Sequence, residues 1–308
     1  MVYICKNIYT GELDFSQYPF ELSPFQKHAI HAIENGKHIL ITAHTGSGKT
    51  IPALHAIQKF LPDKKVIYTS PIKSLSNQKF NEFSNKFPEL SFGILTGDIK
   101  FNPEADCLIM TTEILRNHLF NQKLQTPLQF EIDINDLACV IFDEIHYIND
   151  KERGKIWEET IMMLPEHVLI IMLSATIDKA EQFAQWVENV KKKPVWITST
   201  DKRVIPLTHY SYITVRNKLI EKHKINTSNI NKLTVLRKHH DFFQEQNFYD
   251  LCKIKQYFNK NQIFVNQSFV LNNIAKYLHQ QNLLPAICFV FSRRKTEVFA
   301  KMISLSFN

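Results

Sequence analysis

His38-Ile-Leu-Ile-Thr-Ala-His-Thr-Gly-Ser-Gly-Lys-Thr50 is the stretch from which the fold is read. The apolar run His38–Ala43 predicts a buried strand, and Ile51–Phe60 repeats its apolar residues at helical spacing. Between them stand two glycines, a lysine and a hydroxyl. Strand, glycine loop, lysine and helix in that order form a phosphate cradle. Gly46 and Gly48 lack a Cβ, so backbone N–H groups can close around phosphate oxygens. Lys49 is expected to reach the β- and γ-phosphates, and the Thr50 hydroxyl to hold Mg²⁺. Ala43 stands where the usual pattern has its first glycine; His44, Thr45 and Ser47 complete the loop. Pro52 falls in the first helical turn, where its missing N–H costs nothing. The stretch predicts a nucleoside triphosphate site.

Further apolar runs extend this beginning into a sheet. Lys65–Pro71, Phe92–Gly97, Ala105–Thr112, Leu137–Phe142 and Val168–Leu173 read as strands, several apolar on both faces, with helical stretches such as Leu22–Glu34 and Ile72–Lys86 between most of them. The expected fold is α/β: a doubly wound parallel sheet over roughly residues 20–200 with helices on both faces. Small polar residues gather at the strands' carboxyl ends, where this architecture binds ligands. From about 201 to 282 the pattern loosens into an Asn- and Lys-rich linker or accessory segment, partly ordered at best. Ala286–Phe291 again reads as a core strand, followed by a helix from Ser292.

Composition narrows the classes. The 308 residues are 44% hydrophobic, enough for two domains, and the net charge of +7 favours a polyanionic partner. Five dispersed cysteines without a CxxC pair suggest neither a zinc site nor a disulfide framework, so a reducing, intracellular compartment is expected. Cys107, Cys139 and Cys288 lie in apolar runs and read as core residues. No run approaches the ~18 apolar residues of a membrane span, and no membrane partner is expected. His28 and His31 read as packed or surface side chains. Lys191–Lys193 and His239-His240 read as solvated surface.

A phosphate loop needs a carboxylate at the end of an apolar strand to complete Mg²⁺ coordination. Asp143, after Val140-Ile-Phe142, is placed for that. Glu144 faces differently along the backbone and can orient or deprotonate the attacking water. His146 reads either as a bridge to a neighbouring loop or as polar packing.

Seven segments then stand in a recognisable order: Ala43–Thr50; Thr69–Lys79; Thr96-Gly97-Asp98; Thr111–Leu115; Asp143–Asp150; Arg153-Gly154 with Trp157-Glu158-Glu159; and Leu173–Thr176. Together they resemble the DExH-box helicases of superfamily 2, specifically the superkiller-like RNA helicases that serve the exosome. The resemblance covers residues 20–210 and resumes at Leu284–Lys295. It implies a RecA-like domain over 1–200, a linker over 201–282 and the start of a second RecA-like domain over 283–308. It implies ATP and Mg²⁺ as cofactors and RNA as partner, with hydrolysis coupled to 3′–5′ unwinding in the complete enzyme.

Site roles follow position by position from the resemblance. Phe20 would stack on adenine while Gln26 reads its edge. Ser174, Ala175 and Thr176 would couple hydrolysis to strand movement, with His146 contacting them. Pro71, Lys73, Asn77, Gln78, Thr96, Gly97, Thr112, Glu113 and Arg116 would hold the nucleic-acid backbone, a task that suits loop-end N–H groups, hydroxyls and cations. Two departures stand out: Val204 replaces the usual proline after Arg203, and nothing after Ser292 matches the second domain's arginine motifs. Slow hydrolysis without unwinding is therefore expected of these residues alone. The rival readings are a DNA helicase relative, a non-catalytic nucleic-acid-binding product, and a separate chain supplying the second helicase domain.

Overall fold

The computed structural model describes residues 2–5, 8–124, 132–175, 177–203, 205–224, 228–238 and 242–304. The chain forms two compact units, Met1–Val204 and Ile205–Asn308. No helix among the described residues is long and apolar enough to cross a membrane.

The first unit is built on a nine-stranded sheet. Its strands in chain order are β1 (Tyr3–Ile4), β2 (His38–Ala43), β3 (Lys65–Ser70), β4 (Phe92–Leu95), β5 (Lys100–Phe101), β6 (Cys107–Thr111), β7 (Leu137–Phe142), β8 (Leu169–Ser174) and β9 (Val195–Thr200). Across the sheet they run β1-β9-β2-β8-β7-β3-β6-β4-β5, all pairs parallel except the short β4–β5 hairpin. Among the described residues six α-helices connect them: α1 (Pro24–Glu34), α2 (Thr50–Phe60), α3 (Lys73–Lys86), α4 (Thr112–Lys123), α5 (Gly154–Met163) and α6 (Ala180–Lys191).

Side-chain alternation along the strands sorts the core into two layers. Ile39, Ile41 and Ile171 pack with Ala29 and Ile33 of α1, Ala53 and Ile57 of α2 and Phe83 of α3. Leu40, Val140 and Ile170 face the other way, onto Leu115 of α4, Trp157 of α5 and Val187 of α6. Both faces are covered, which is the doubly wound RecA-like arrangement expected from the apolar runs.

The second unit contains a hairpin of β10 (His209–Tyr212) and β11 (Leu233–Arg237), with helices α7 (Asn217–His223), α8 (Glu245–Lys260), α9 (Gln267–Gln280) and α10 (Arg293–Met302). Val215, Ile230 and Ile263 form its small core, packed by Leu219, Ile220 and Phe258. The stretch expected to be partly ordered at best thus holds helices and a hairpin.

Three expectations are corrected. Ala286–Phe291 forms no strand: Ile287, Phe289 and Phe291 are 81%, 85% and 106% exposed. A β-strand exists only through its neighbours' hydrogen bonds, and among the described residues no strand pairs with this run. Cys288 within it is exposed rather than a core residue, whereas Cys107 and Cys139 are buried. Lys191 is buried, not solvated: its ammonium donates to the carbonyls of Leu164 (2.5 Å) and Met162 (3.4 Å). Burial, with Lys123 nearby, lowers its pKa to about 8. His239 and His240 lie outside the described residues.

Candidate nucleotide and nucleic-acid site

The strand order decides which polar ends meet. β2 lies between β9 and β8, with Thr42 paired to both Ser199 and Ser174. β8 is followed by β7, then by β3, β6 and β4. The ends of β2 and β7 are therefore one strand apart, ~10 Å, with the end of β8 between them. The phosphate loop, Asp143-Glu144, Ser174 and the segments after β3, β4 and β6 all leave the sheet at this one end.

At β2 the chain turns from His44 into α2. The Ser47 N–H and hydroxyl both donate to the His44 carbonyl (3.1 and 2.6 Å), closing the turn. Gly46 and Gly48 stand at φ +82° and +87°, conformations that residues with a Cβ rarely adopt. A Cβ at Gly48 would fall 2.5 Å from Nε2 of Gln26. Gln26 itself is buried in α1. Its Oε1 accepts from the Ser23 N–H and hydroxyl (2.8 and 2.9 Å), forming a capping box, and its Nε2 donates to the Gly48 carbonyl (3.2 Å). The side chain expected to read adenine thus ties the start of α1 to the phosphate loop. Phe20 is 51% exposed, so it is no core anchor. It lines a cleft of about 510 Å³ with Tyr18, Ile51 and His55.

Lys49 is the telling residue. Its side chain is buried, yet Nζ has no hydrogen-bond partner among the described residues. An ammonium held in that condition is costly unless an anion joins it. Thr50 opens α2, whose first-turn N–H groups lack intrahelical acceptors and favour the same anion.

Asp143 follows β7 and is held from two sides. The Tyr68 hydroxyl donates to Oδ2 (2.5 Å) and the Glu144 N–H to Oδ1 (2.9 Å). Burial, followed by the adjacent Asp143 carboxylate, holds the Tyr68 hydroxyl well above the ordinary phenol range, so it remains a donor. Glu144 is left-handed, φ +51°. Its Oε2 lies 3.3 Å from Nδ1 of His146, without hydrogen-bond alignment. His146 belongs to a short 3-10 helix, Ile145–Asn149, packed against β8. Ser174, the last residue of β8, has a buried hydroxyl with no hydrogen-bond partner among the described residues; Ala175 follows it. Thr176 lies outside the described residues.

A further cleft of about 470 Å³ opens at the ends of β2, β8 and β9, bounded by His44, Ala175 and Thr200. Arg203 donates to Nδ1 of His44 (3.3 Å), so the segment after β9 is fastened to the phosphate loop.

On the far side of β7 the expected nucleic-acid contacts fall into clusters. Lys73 and Asp98 pair at 3.0 Å, and the Thr96 hydroxyl donates to the same carboxylate (2.9 Å), beside Gly97. These partners hold Asp98 below the usual carboxylate range. Arg153 donates to the Pro71 carbonyl (2.7 Å) and to Glu113, and its guanidinium lies over the Trp157 ring at 5.7 Å. Arg116 pairs with Glu159 at 2.7 Å. Thr112 is fully buried, Gln78 is exposed and Asn77 is half-buried, its Oδ1 without a partner among the described residues. Asn77 and Gln78 share α3 with Lys73, so the clusters come from the ends of β3, β4 and β6.

The family model for DEAD/DEAH box helicases matches residues 23–183, from the cap of α1 into the first turn of α6. The chain belongs to the DEAD/DEAH box helicase family. Among its relatives, this helicase chain is 40% identical over 303 residues to the exosome RNA helicase MTR4 of Homo sapiens, covering 95% of this chain and 27% of that protein. It is 48% identical over 191 residues to the antiviral helicase SKI2 of Saccharomyces cerevisiae, covering 62% and 14%. A crystal structure of the helicase MrfA bound to DNA and AMPPNP shares the fold, with a TM-score of 0.50 and 19% identity over 60% of this chain and 28% of that one. The helicase chain spans between 14% and 27% of the length of these curated relatives. The family implies ATP and a divalent metal.

Sequence reading missed the roles of Tyr68, Arg153 and Arg203. Tyr68 carried a faint signal, an aromatic with a polar tip in an otherwise apolar strand. From sequence Arg153 reads only as part of a motif, because nothing local shows that residues 71 and 113 converge on it.

Proposed function

We propose that these residues form the ATP-binding and strand-gripping half of an ATP-dependent RNA helicase. The buried, partnerless ammonium of Lys49 carries this reading, since it lies where a triphosphate would neutralise it. The residues present fit ATP·Mg²⁺. Gly46 and Gly48 form the cradle, Lys49 supplies the charge, and Thr50 and Asp143 offer the oxygens a Mg²⁺ ion prefers. Bound Mg²⁺ would neutralise charge developing on the phosphates.

The chain's own groups divide the rest of the work. Tyr68 and the Glu144 N–H fix both oxygens of Asp143. Glu144 would orient a water and accept its proton, with Nδ1 of His146 3.3 Å from its carboxylate. The end of β8 adjoins both β2 and β7, which supports Ser174 as a residue that would couple hydrolysis to strand movement. Lys73, Pro71, Thr96 and Arg116 would hold sugar–phosphate rather than bases, giving a sequence-tolerant grip. RNA is favoured over DNA because relatives at 40% and 48% identity carry RNA helicase names. In the complete enzyme hydrolysis would drive 3′–5′ unwinding. Five free cysteines suit a reducing, intracellular compartment.

The arginines that complete a closed site would come from a second RecA-like domain, within the same protein or from a separate chain, and such a finger is worth about 10³–10⁵ in rate. The 308 residues are therefore expected to bind ATP·Mg²⁺ and turn it over slowly. The test measures a fluorescent ATP analogue and labelled RNA and DNA strands against this polypeptide. Lys49→Ala should abolish nucleotide binding, and Glu144→Gln should keep binding while removing residual turnover. Unchanged nucleotide binding in Lys49→Ala, or equal preference for DNA, would refute the corresponding half of the proposal.

A further inference from the structure

The net charge is divided unevenly between the units. Residues 1–204 carry 22 lysines and arginines against 25 aspartates and glutamates; residues 205–308 carry 15 against 5. The first unit is thus −3 and the second +10. The whole excess that points to a polyanion lies outside the unit with the phosphate loop and the helicase motifs.

Part of that charge converges. Within the second unit a cleft of about 600 Å³ opens between α9 and the segment joining β10 to α7. Arg216, Lys218 and Lys276 line it, and no carboxylate among the described residues does. Tyr212, Phe269 and Tyr277 supply rings, and apart from Val215 the rest of the lining bears amides. Positions 269, 273, 276, 277 and 280 follow helical spacing, so one face of α9 presents rings, amides and a cation together. That is not the apolar stripe of a core helix. The Arg216 guanidinium lies over the Phe269 ring at 5.4 Å, and the Tyr212 and Tyr277 rings are 5.5 Å apart. Beneath them the Asn273 amide donates to the Thr214 hydroxyl (3.2 Å), which donates to Asn231 (2.6 Å), so the wall is tied to the hairpin.

We propose that this cleft is an additional contact site for single-stranded RNA, outside the helicase motifs. Its cations would meet phosphates, its rings would stack on base faces, and its amides would reach sugars and base edges. Such a volume falls within the roughly 300–1,000 Å³ of small-ligand sites, enough for a nucleotide unit. An acidic protein segment would use the cations but has no planar group for the rings, so a base-bearing polyanion fits better. The proposal rests on the helicase reading only for the class of polymer.

The experiment uses the 308-residue chain and a fluorescein-labelled U20 strand, with anisotropy measured at several salt concentrations. On a single strand each phosphate contact contributes about 0.7 to the slope of log affinity against log salt. Combining Arg216→Gln, Lys218→Gln and Lys276→Gln should therefore flatten the slope by about 2 and weaken binding roughly ten-fold. ATP-analogue binding should not change. Lys238→Gln, Lys255→Gln and Lys260→Gln together remove the same charge from exposed lysines that do not line the cleft, and should flatten the slope by less than half as much. Phe269→Leu alone should weaken binding several-fold with the slope unchanged, through lost stacking.

An unchanged slope in the cleft variant, with U20 still bound, overturns this proposal and leaves the helicase reading intact. So does an equal loss in both triple variants, which would mean diffuse charge. A polyglutamate of the same length competing as well as unlabelled U20 overturns it in favour of an acidic protein partner. Failure of the unaltered chain to bind U20 while still binding ATP overturns the nucleic-acid half of both readings.

Discussion

Gly46 and Gly48 allow the phosphate loop to be tested by two similar substitutions with different consequences. Both residues have φ above +80°, so alanine at either is strained by about 1–3 kcal/mol. They differ in space. A Cβ at Gly46 meets nothing within 4 Å, whereas one at Gly48 falls 2.5 Å from Gln26 Nε2 and 3.2 Å from Ile51 Cδ1. Gln26 cannot swing aside freely, because it is 5% exposed and Ser23 donates twice to its Oε1. Moving it forfeits the bond to the Gly48 carbonyl and disturbs the cap of α1. At about 0.5–1.5 kcal/mol per hydrogen bond, Gly48→Ala should cost about 1–2 kcal/mol more than Gly46→Ala. In a Gln26→Ala background that excess should vanish, since the obstructing amide is gone. Urea unfolding followed by tryptophan fluorescence reads this directly, because Trp157, Trp186 and Trp196 all lie in the first unit. Equal losses at the two glycines, or an excess that survives Gln26→Ala, would refute the proposed tie between α1 and the loop.

Three further predictions use the same unfolding assay. Lys49→Met should leave the first unit as stable as before or more stable, while abolishing nucleotide binding, because it removes a buried ammonium without a partner; a loss above about 2 kcal/mol would contradict that. His38 is buried, accepts from the Ile170 N–H (3.0 Å), and burial, with Lys193 and Lys191 nearby, lowers its pKa to about 3. Between pH 6.5 and 3 only the unfolded imidazole gains a proton, so stability falls as pH drops, by about 2 kcal/mol from pH 7.5 to 5; His38→Asn should remove that component, and parallel pH curves would count against it. Arg153→Ala should cost about 1–3 kcal/mol and weaken RNA binding, because it releases Pro71 and Glu113 together. Arg153→Lys should not rescue it, since one ammonium cannot replace the forked donor and its stacking on Trp157; full rescue would reduce Arg153 to a simple positive charge.

The sequence by itself determined the elements of the first unit and the chemistry of its loop ends. Apolar runs such as Leu137–Phe142, the glycine pair, Lys49 and the Asp143-Glu144 step were legible because periodicity, φ preference and strand-end polarity are properties of neighbouring residues. The same local rules misled at Ala286–Phe291, where an apolar run lacks a strand to pair with among the described residues, and at Lys191, where the long side chain reaches two carbonyls 27 and 29 residues away in sequence. Only the tertiary structure decided that β8 lies between β2 and β7, that Gln26 braces Gly48, that Tyr68 fixes Asp143, and that Arg153 gathers Pro71 and Glu113. It also divided the charge between two units and assembled Arg216, Lys218 and Lys276 around one cleft. Those facts join residues tens to more than a hundred positions apart, for which no local pattern carries a signal. Their pairing is fixed by which strands adjoin and which helix faces meet, and that follows from the packing of the whole core.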